Sequence, residues 1–525
     1  MSVRRRFRLL ALVTVLCTGA AGLPACAPDG GGGRAGPTAT CAELAEQYGS
    51  FPAGTTVTVA TSFTGVEAER FDASVADFSR CTGVTIVQNG SDELENQLRA
   101  ELGGSATDLA DIAVVPQPGL VTDLARHGRI VPLPEAVGAN TELGWDRIWS
   151  DAGRVDGELY GAPLMASLKS FIWYSPVAFE RAGYEVPTTW DELVELTDRV
   201  AADHPDGSVA PWCLGAADGA TTGWPVSDWL EDGLLAIHGT GAYDQWASHD
   251  VPVDAPVAVS TLDSLDSLLL AKGHVAGGRA GAVSMTMEEA GAELVSGACL
   301  MLHASSSFET VLPPGTTVTD ADGAHGVTVS ASPTEAASAP GGQPTSDGQP
   351  GDGGQPGDGG QPPSEGAADE ARTAAPASPA TATATPVRTG GVVSAFLLPA
   401  VETDSTSNPV LVGGDYLVAL KVSDASTAVM SYLTSPVWAQ TRLSLGGVAS
   451  ANHGVDAAGA SSPVAQEASR ILQSRQSVVR IDASDMMPSA VGTQVMWGAL
   501  TKWARGEASS VAALAAAEAA WPKNG

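Results

Sequence analysis

Two tryptophan-rich segments hold the residue types with the most chemistry in them. Thr221-Thr222-Gly223-Trp224-Pro225-Val226-Ser227-Asp228-Trp229 sets two indoles around an aspartate, and Lys169-Ser170-Phe171-Ile172-Trp173-Tyr174 sets a third near a lysine. A polyhydroxylated ring has apolar C–H faces and a fringe of hydroxyls. An indole covers the faces, and carboxylates or amides accept hydrogen bonds from the fringe. Aromatic residues interleaved with Asp, Glu, Asn, Gln or Lys are therefore what sugar recognition needs, although tryptophan also fills cores. Catalytic signatures are missing: there is no His-Glu-x-x-His helix, no Gly-x-Ser-x-Gly elbow and no Walker loop. The glycines at 30–33 follow no strand and open no helix, so they form no phosphate cradle. His204, His238, His249 and His453 stand scattered in polar contexts, and no two carboxylates stand out as a glycosidase pair. The missing catalytic patterns agree with a binder, not an enzyme, that uses no cofactor and no metal, while the many acids leave a glycosidase pair open.

Such side chains must be positioned by a folded frame, and the sequence predicts one. Val57–Val59, Val84–Val87 and Asp111–Val115 read as strands, alternating with helices over Glu67–Phe78 and Asp92–Leu102. This βαβαβ order calls for an α/β fold with a parallel sheet and helices on its faces. Thr189 and Glu192 form a capping box that opens a helix carrying Leu193, Leu196 and Val200 on one face. Later strands fall at Cys299–His303, Val392–Leu398 and Tyr416–Leu420, and later helices at about 425–434, 463–475 and 507–520. Residues 331–390 are Pro, Gly, Ala, Ser, Thr and Gln with almost no large apolar groups, and Gly348–Gly353 repeats at once as Gly354–Gly359. That composition predicts a disordered insertion between two strands, tolerated because closure entropy grows slowly with loop length.

The 525 residues allow two or three domains. A formal charge of −33 excludes nucleic-acid binding by phosphate neutralisation and attraction to an anionic lipid surface. It suits a soluble exported surface. Arg4, Arg5, Arg6 and Arg8 precede the apolar run Leu9–Leu16 and a small-residue site ending Leu23-Pro24-Ala25-Cys26, the pattern of an export signal over 1–25. Ending on Cys26, it resembles a bacterial lipobox, whose cysteine receives diacylglycerol and becomes the mature N-terminus. Residues 26–41 then form a flexible tether. Beyond Cys17 and Cys26 four cysteines remain, an even number that in an exported chain suggests two disulfides with three possible connectivities. Cys41 and Cys81 flank one strand–helix unit, which favours pairing them and leaves Cys213 with Cys299.

A resemblance gives these features a setting. Pro187-Thr188-Thr189-Trp190-Asp191-Glu192-Leu193, just after Trp173-Tyr174-Ser175-Pro176, is similar to the extracellular solute-binding proteins of carbohydrate ABC importers. Pro116–Leu120, Pro211-Trp212-Cys213, Thr222–Pro225, Tyr243–Trp246 and Asp485–Ser489 resemble the α-glucoside-binding branch of bacterial lipoproteins, over about 41–522 apart from the insertion. The resemblance implies a two-lobed periplasmic-binding-protein-like fold with the ligand held in a cleft between lobes. Residues 42–165 plus 405–450 would make lobe one, and 166–404 plus 451–525 lobe two.

It also implies a site. Ligands of open α/β sheets lie beyond the carboxyl ends of strands. The loops after the first three strands bring Ser62 and Glu67, Ser91 and Glu93, and Gln117 there. Trp224 and Trp173 are the expected stacking platforms. Glu67, Glu93, Gln117, Asp228 and Asp415 are the expected hydroxyl acceptors, and Lys169 a hydroxyl donor. Gly414 lies in the turn near the hinge, and Asp482 and Asp485 come from the last segment. Around His303-Ala304-Ser305-Ser306-Ser307-Phe308 the family pattern implies a longer polar side chain, such as Arg or Gln, so the small residues here leave the identity of the sugar open. The expected partners are a sugar and membrane permease subunits, met by a monomer lipid-anchored on the outer face of the cell membrane. Hinge closure over the sugar would signal to the permease. A secreted glycoside hydrolase and a non-transporting sugar receptor are the competing expectations.

Overall fold

The computed structural model describes residues 39–103, 109–329, 389–401 and 409–523. The export signal, Cys26, most of the tether and all but the last two residues of the 331–390 insertion lie outside the described residues.

Two six-stranded sheets carry the molecule. The first is built on β1 (Thr56–Thr61), β2 (Thr85–Gly90) and β3 (Ile112–Val115), which run parallel with β1 in the middle. The helices Gly65–Thr82 and Leu94–Leu102 connect them, as the βαβαβ pattern predicts. All four residues of β3 are buried, as befits a strand covered on both faces. A small ribbon, β4 (Arg154–Val155) with β5 (Glu158–Leu159), precedes β6 (Gly161–Leu168). β6 joins the first sheet through β13 (Pro409–Ala419), which also runs antiparallel to β3 and parallel to β14 (Val478–Ile481).

The second sheet runs β11 (Gly326–Thr328), β10 (Thr317–Thr319), β12 (Val392–Leu397), β7 (Phe171–Tyr174), β9 (Cys299–His303) and β8 (Ala210–Cys213). Large side chains fill its surroundings: Trp173, Trp212, Trp229 and Trp246 are each at most 1 % exposed. Burying an aromatic of that size contributes about 2–3 kcal/mol. The molecule thus has two lobes, each with its own sheet. The chain passes from the first sheet to the second between Leu168 and Phe171, where β6 ends and β7 begins, so Lys169 sits on the crossing. Two disulfides, Cys41–Cys81 and Cys213–Cys299, staple the helix Cys41–Tyr48 to the helix Gly65–Thr82 and β8 to β9. Among the described residues no helix is long and apolar enough to cross a membrane, and no His, Cys, Asp and Glu group could hold a metal.

Candidate functional site

A cleft of about 440 Å³ opens where the crossing strand meets the loops of both sheets. Ser62, Glu67 and Gln117 reach it from beyond β1 and β3, and Gly414 and Asp415 from the middle of β13. A bulge sets Asp415: Asp415 pairs with Met165 but Tyr416 pairs with Pro163, so Leu164 is the extra residue. Gly413 is required beside it, since a Cβ there would stand 2.7 Å from Cε of Lys169. The cleft recess and the neighbouring Glu67 charge, offset in part by Arg442, push the Asp415 carboxyl up to about 7.

The buried start of the helix Trp224–Ala247 supplies the opposite wall. Gly223 caps it at φ 110°, a left-handed conformation, and a Cβ there would stand 2.3 Å from the Trp497 carbonyl. Asp228, Glu231 and Asp232 follow at helical spacing, all at most 3 % exposed, and each has its own partner. Asp228 accepts from Lys169 Nζ at 3.0 Å. Glu231 accepts from the amides of Ala483 and Ser484 and from the Tyr243 hydroxyl, which anchors the turn Ala483–Met486. Asp232 joins Ser170 Oγ at 2.6 Å and His303 Nε2 at 2.9 Å.

Lys169 Nζ donates to Asp482 at 2.6 Å and to Asp485 at 3.4 Å as well as to Asp228. Burial opposes the Asp482 charge, yet the lysine and further hydrogen bonds hold that carboxyl at about 2. Burial, then the Asp482 charge, push Asp485 up to about 8, and burial raises Asp228 as well. Burial disfavours the ammonium form of Lys169, but the three carboxylates outweigh it and keep the ammonium charged. The lysine is thus neutralised by protein groups, and the cleft shows a ligand mainly acceptors. Gln117 adds one: Nε2 donates to Glu95 at 2.9 Å, which leaves Oε1 buried and without a partner.

Of the sequence-predicted residues, Ser62, Glu67, Gln117, Lys169, Trp224, Asp228, Gly414, Asp415 and Asp485 line the cleft together. Asp482 is fully buried and acts behind Lys169. Trp173 is a correction: β7 lies between β9 and β12, so its indole is 0 % exposed, edge-on to Phe308, with Nε1 on the Ser305 carbonyl. It cannot be a stacking platform. Ser91 and Glu93 also stand apart from the cleft lining. Ser91 Oγ accepts from Glu93 N and Gln97 Nε2, and Glu93 is the exposed cap of the helix Leu94–Leu102, accepting from Asn96. Their neighbours Asp92 and Glu95 line the cleft instead. Asp218 was not expected. It follows the carboxyl end of β8 and accepts from Trp224 Nε1 at 2.9 Å and from Thr221 Oγ1 at 2.5 Å, fixing the indole. Its position after a strand end is the signal that could have found it. Trp497, also in the lining, carries no such signal.

The chain is 29 % identical over 472 residues to the osmoprotective compounds-binding protein GgtB of Synechocystis, covering 89 % of this chain and 92 % of that protein. It is 32 % identical over 281 residues to the alpha-glucosides-binding periplasmic protein AglE of Rhizobium meliloti, covering 51 % of this chain and 60 % of that protein. Its fold superposes on the bacterial solute receptor AcbH with a TM-score of 0.63 at 14 % identity, covering 89 % of this chain and 98 % of the receptor. Maltose-bound MalE3 of T. maritima superposes at 0.57 and 14 % identity, covering 89 % and 98 %. The sequence pattern of the bacterial extracellular solute-binding proteins matches residues 64–342, more than half of the chain, which therefore belongs to that family.

Proposed function

We propose that this protein captures a sugar, an α-glucoside or a related oligosaccharide, outside the cell and hands it to the permease of an ABC importer. One observation carries the reading: acceptor side chains from both lobes converge on a single cleft beside an indole fixed in place. Hydroxyls donate to Glu67, Gln117, Asp415 and Asp485, and a sugar's C–H face packs on Trp224. AglE, named for binding alpha-glucosides, supports the substrate class. The first sheet belongs to lobe one and the second to lobe two, and because β6 through Leu168 and β14 (Val478–Ile481) pair with β13, lobe one takes 166–168 and 478–481 beyond the expected 42–165 plus 405–450; a sugar touching both lobes stabilises the closed state. No bond is made or broken in this role.

The protein acts as a monomer tethered through lipid on Cys26. Calorimetry of the mature protein against maltose, trehalose, sucrose and longer α-glucans tests the ligand. The expected result is saturable binding that Trp224→Ala weakens, and silence with every sugar sinks the reading. For the anchor, Cys26→Ser should release the protein into the medium, and retention of that variant in the membrane fraction would count against it.

A further inference from the structure

The cleft is one of two adjoining cavities. A second, of about 390 Å³, shares Asp218, Trp224 and Ser307 with it as common walls. Their linings differ. The cleft carries Glu67, Asp228, Asp415 and Asp485, whereas the acids of the second cavity are Glu288 and the shared Asp218. Ala217, Met287, Ala304 and Phe308 give the second cavity apolar walls, with Thr286 and Ser305 as a polar fringe. Mixed apolar and hydroxyl surface suits an uncharged sugar ring.

The partition between the cavities is rigid. The Trp224 indole is held by Asp218 at 2.9 Å, and its helix starts at Gly223, where there is no room for a side chain. The space itself comes from Ala304, Ser305 and Ser307, small residues in the segment that leaves β9. Longer side chains there would reach into it.

We propose that the ligand spans both cavities, with one ring in the acidic cleft, an uncharged glycosyl ring in the second cavity and Trp224 packed where they are linked. A single hexose leaves one cavity empty, so the smallest full ligand is a disaccharide. This rests on the sugar reading above and adds the length of the ligand to it.

Calorimetry of the full mature protein with methyl α-glucoside, maltose, trehalose, sucrose and maltotriose tests it. At least one two-ring sugar should bind tenfold or more tighter than the one-ring glycoside. Ala217→Phe, which narrows only the second cavity, should abolish that gain and leave one-ring affinity within about twofold. Equal affinities for one and two rings overturn the proposal while the sugar reading stands, as does an Ala217→Phe loss equal for both. If the variant does not fold, the wild-type length comparison decides alone. Silence with all five sugars removes the sugar reading and this proposal together.

Discussion

Lys169 Nζ stands 2.6 Å from Asp482 Oδ2, which joins two residues 313 positions apart in the chain. The contact ties the first crossing between the sheets to the last segment. Asp228 and Asp485 complete a buried ring of three carboxyl groups around one ammonium.

Removing that ammonium strands the buried Asp482 carboxylate, the one of the three held well below its ordinary value. Lys169→Met should cost about 3–5 kcal/mol, the range for breaking a buried ion pair by deleting one partner. Chemical denaturation at pH 7 measures it, and a loss under about 1 kcal/mol would mean the ring is not structurally important.

Stability should fall as pH rises. Asp485 and Asp415 hold their protons up to about 8 and about 7 in the folded protein, against 3.8 ordinarily. Between those values the folded state binds more protons than the unfolded chain, so unfolding becomes easier with rising pH. Asp482, held at about 2, acts the other way. Its contribution is complete above 3.8 and lost as pH falls toward 2. The melting temperature should therefore be several degrees higher at pH 5 than at pH 8, and Asp485→Asn should flatten that slope. Equal melting of the wild type at both pH values would refute this.

The two tryptophans should separate cleanly. Trp173→Ala empties a core position and should cost about 3–5 kcal/mol of stability. Trp224→Ala should instead lower sugar affinity about tenfold or more, about 1.4 kcal/mol, with little change in melting. The idea fails if the two effects are reversed.

Cys41–Cys81 closes a loop with a sequence separation of 40. Replacing both cysteines with serine should cost about 2–4 kcal/mol by freeing the unfolded chain. Urea titration of oxidised wild type against the double variant reads this directly.

What the sequence revealed was local. Thr189 and Glu192 form the expected capping box at the start of Trp190–Asp203, and the strand Cys299–His303 begins and ends where its residues indicate. Hidden features depended on distant neighbours. β13 runs from Pro409, but Pro409, Gly413 and Gly414 disguise its first half, and only the Tyr416 end looks like a strand. These glycines are needed because β6 and Lys169 press against them, which no single segment discloses. In the same way Trp173 stands close to the polar pair Lys169-Ser170 yet lies in the interior of a sheet whose strand order is set by residues 299–303 and 392–397. Asp218 gains its role only once Trp224 folds back onto it.

Two walls of the second cavity, Gly215–Gly219 and Ala304–Phe308, leave from β8 and β9, the two strands that Cys213–Cys299 joins. A slot between covalently joined supports works as a gauge of set width. The strands behind its walls are held both by ladder hydrogen bonds and by the bridge, which leaves little freedom to spread. The bridge sets the width of the slot as a caliper does, and reducing Cys213–Cys299 would remove the covalent part of that setting.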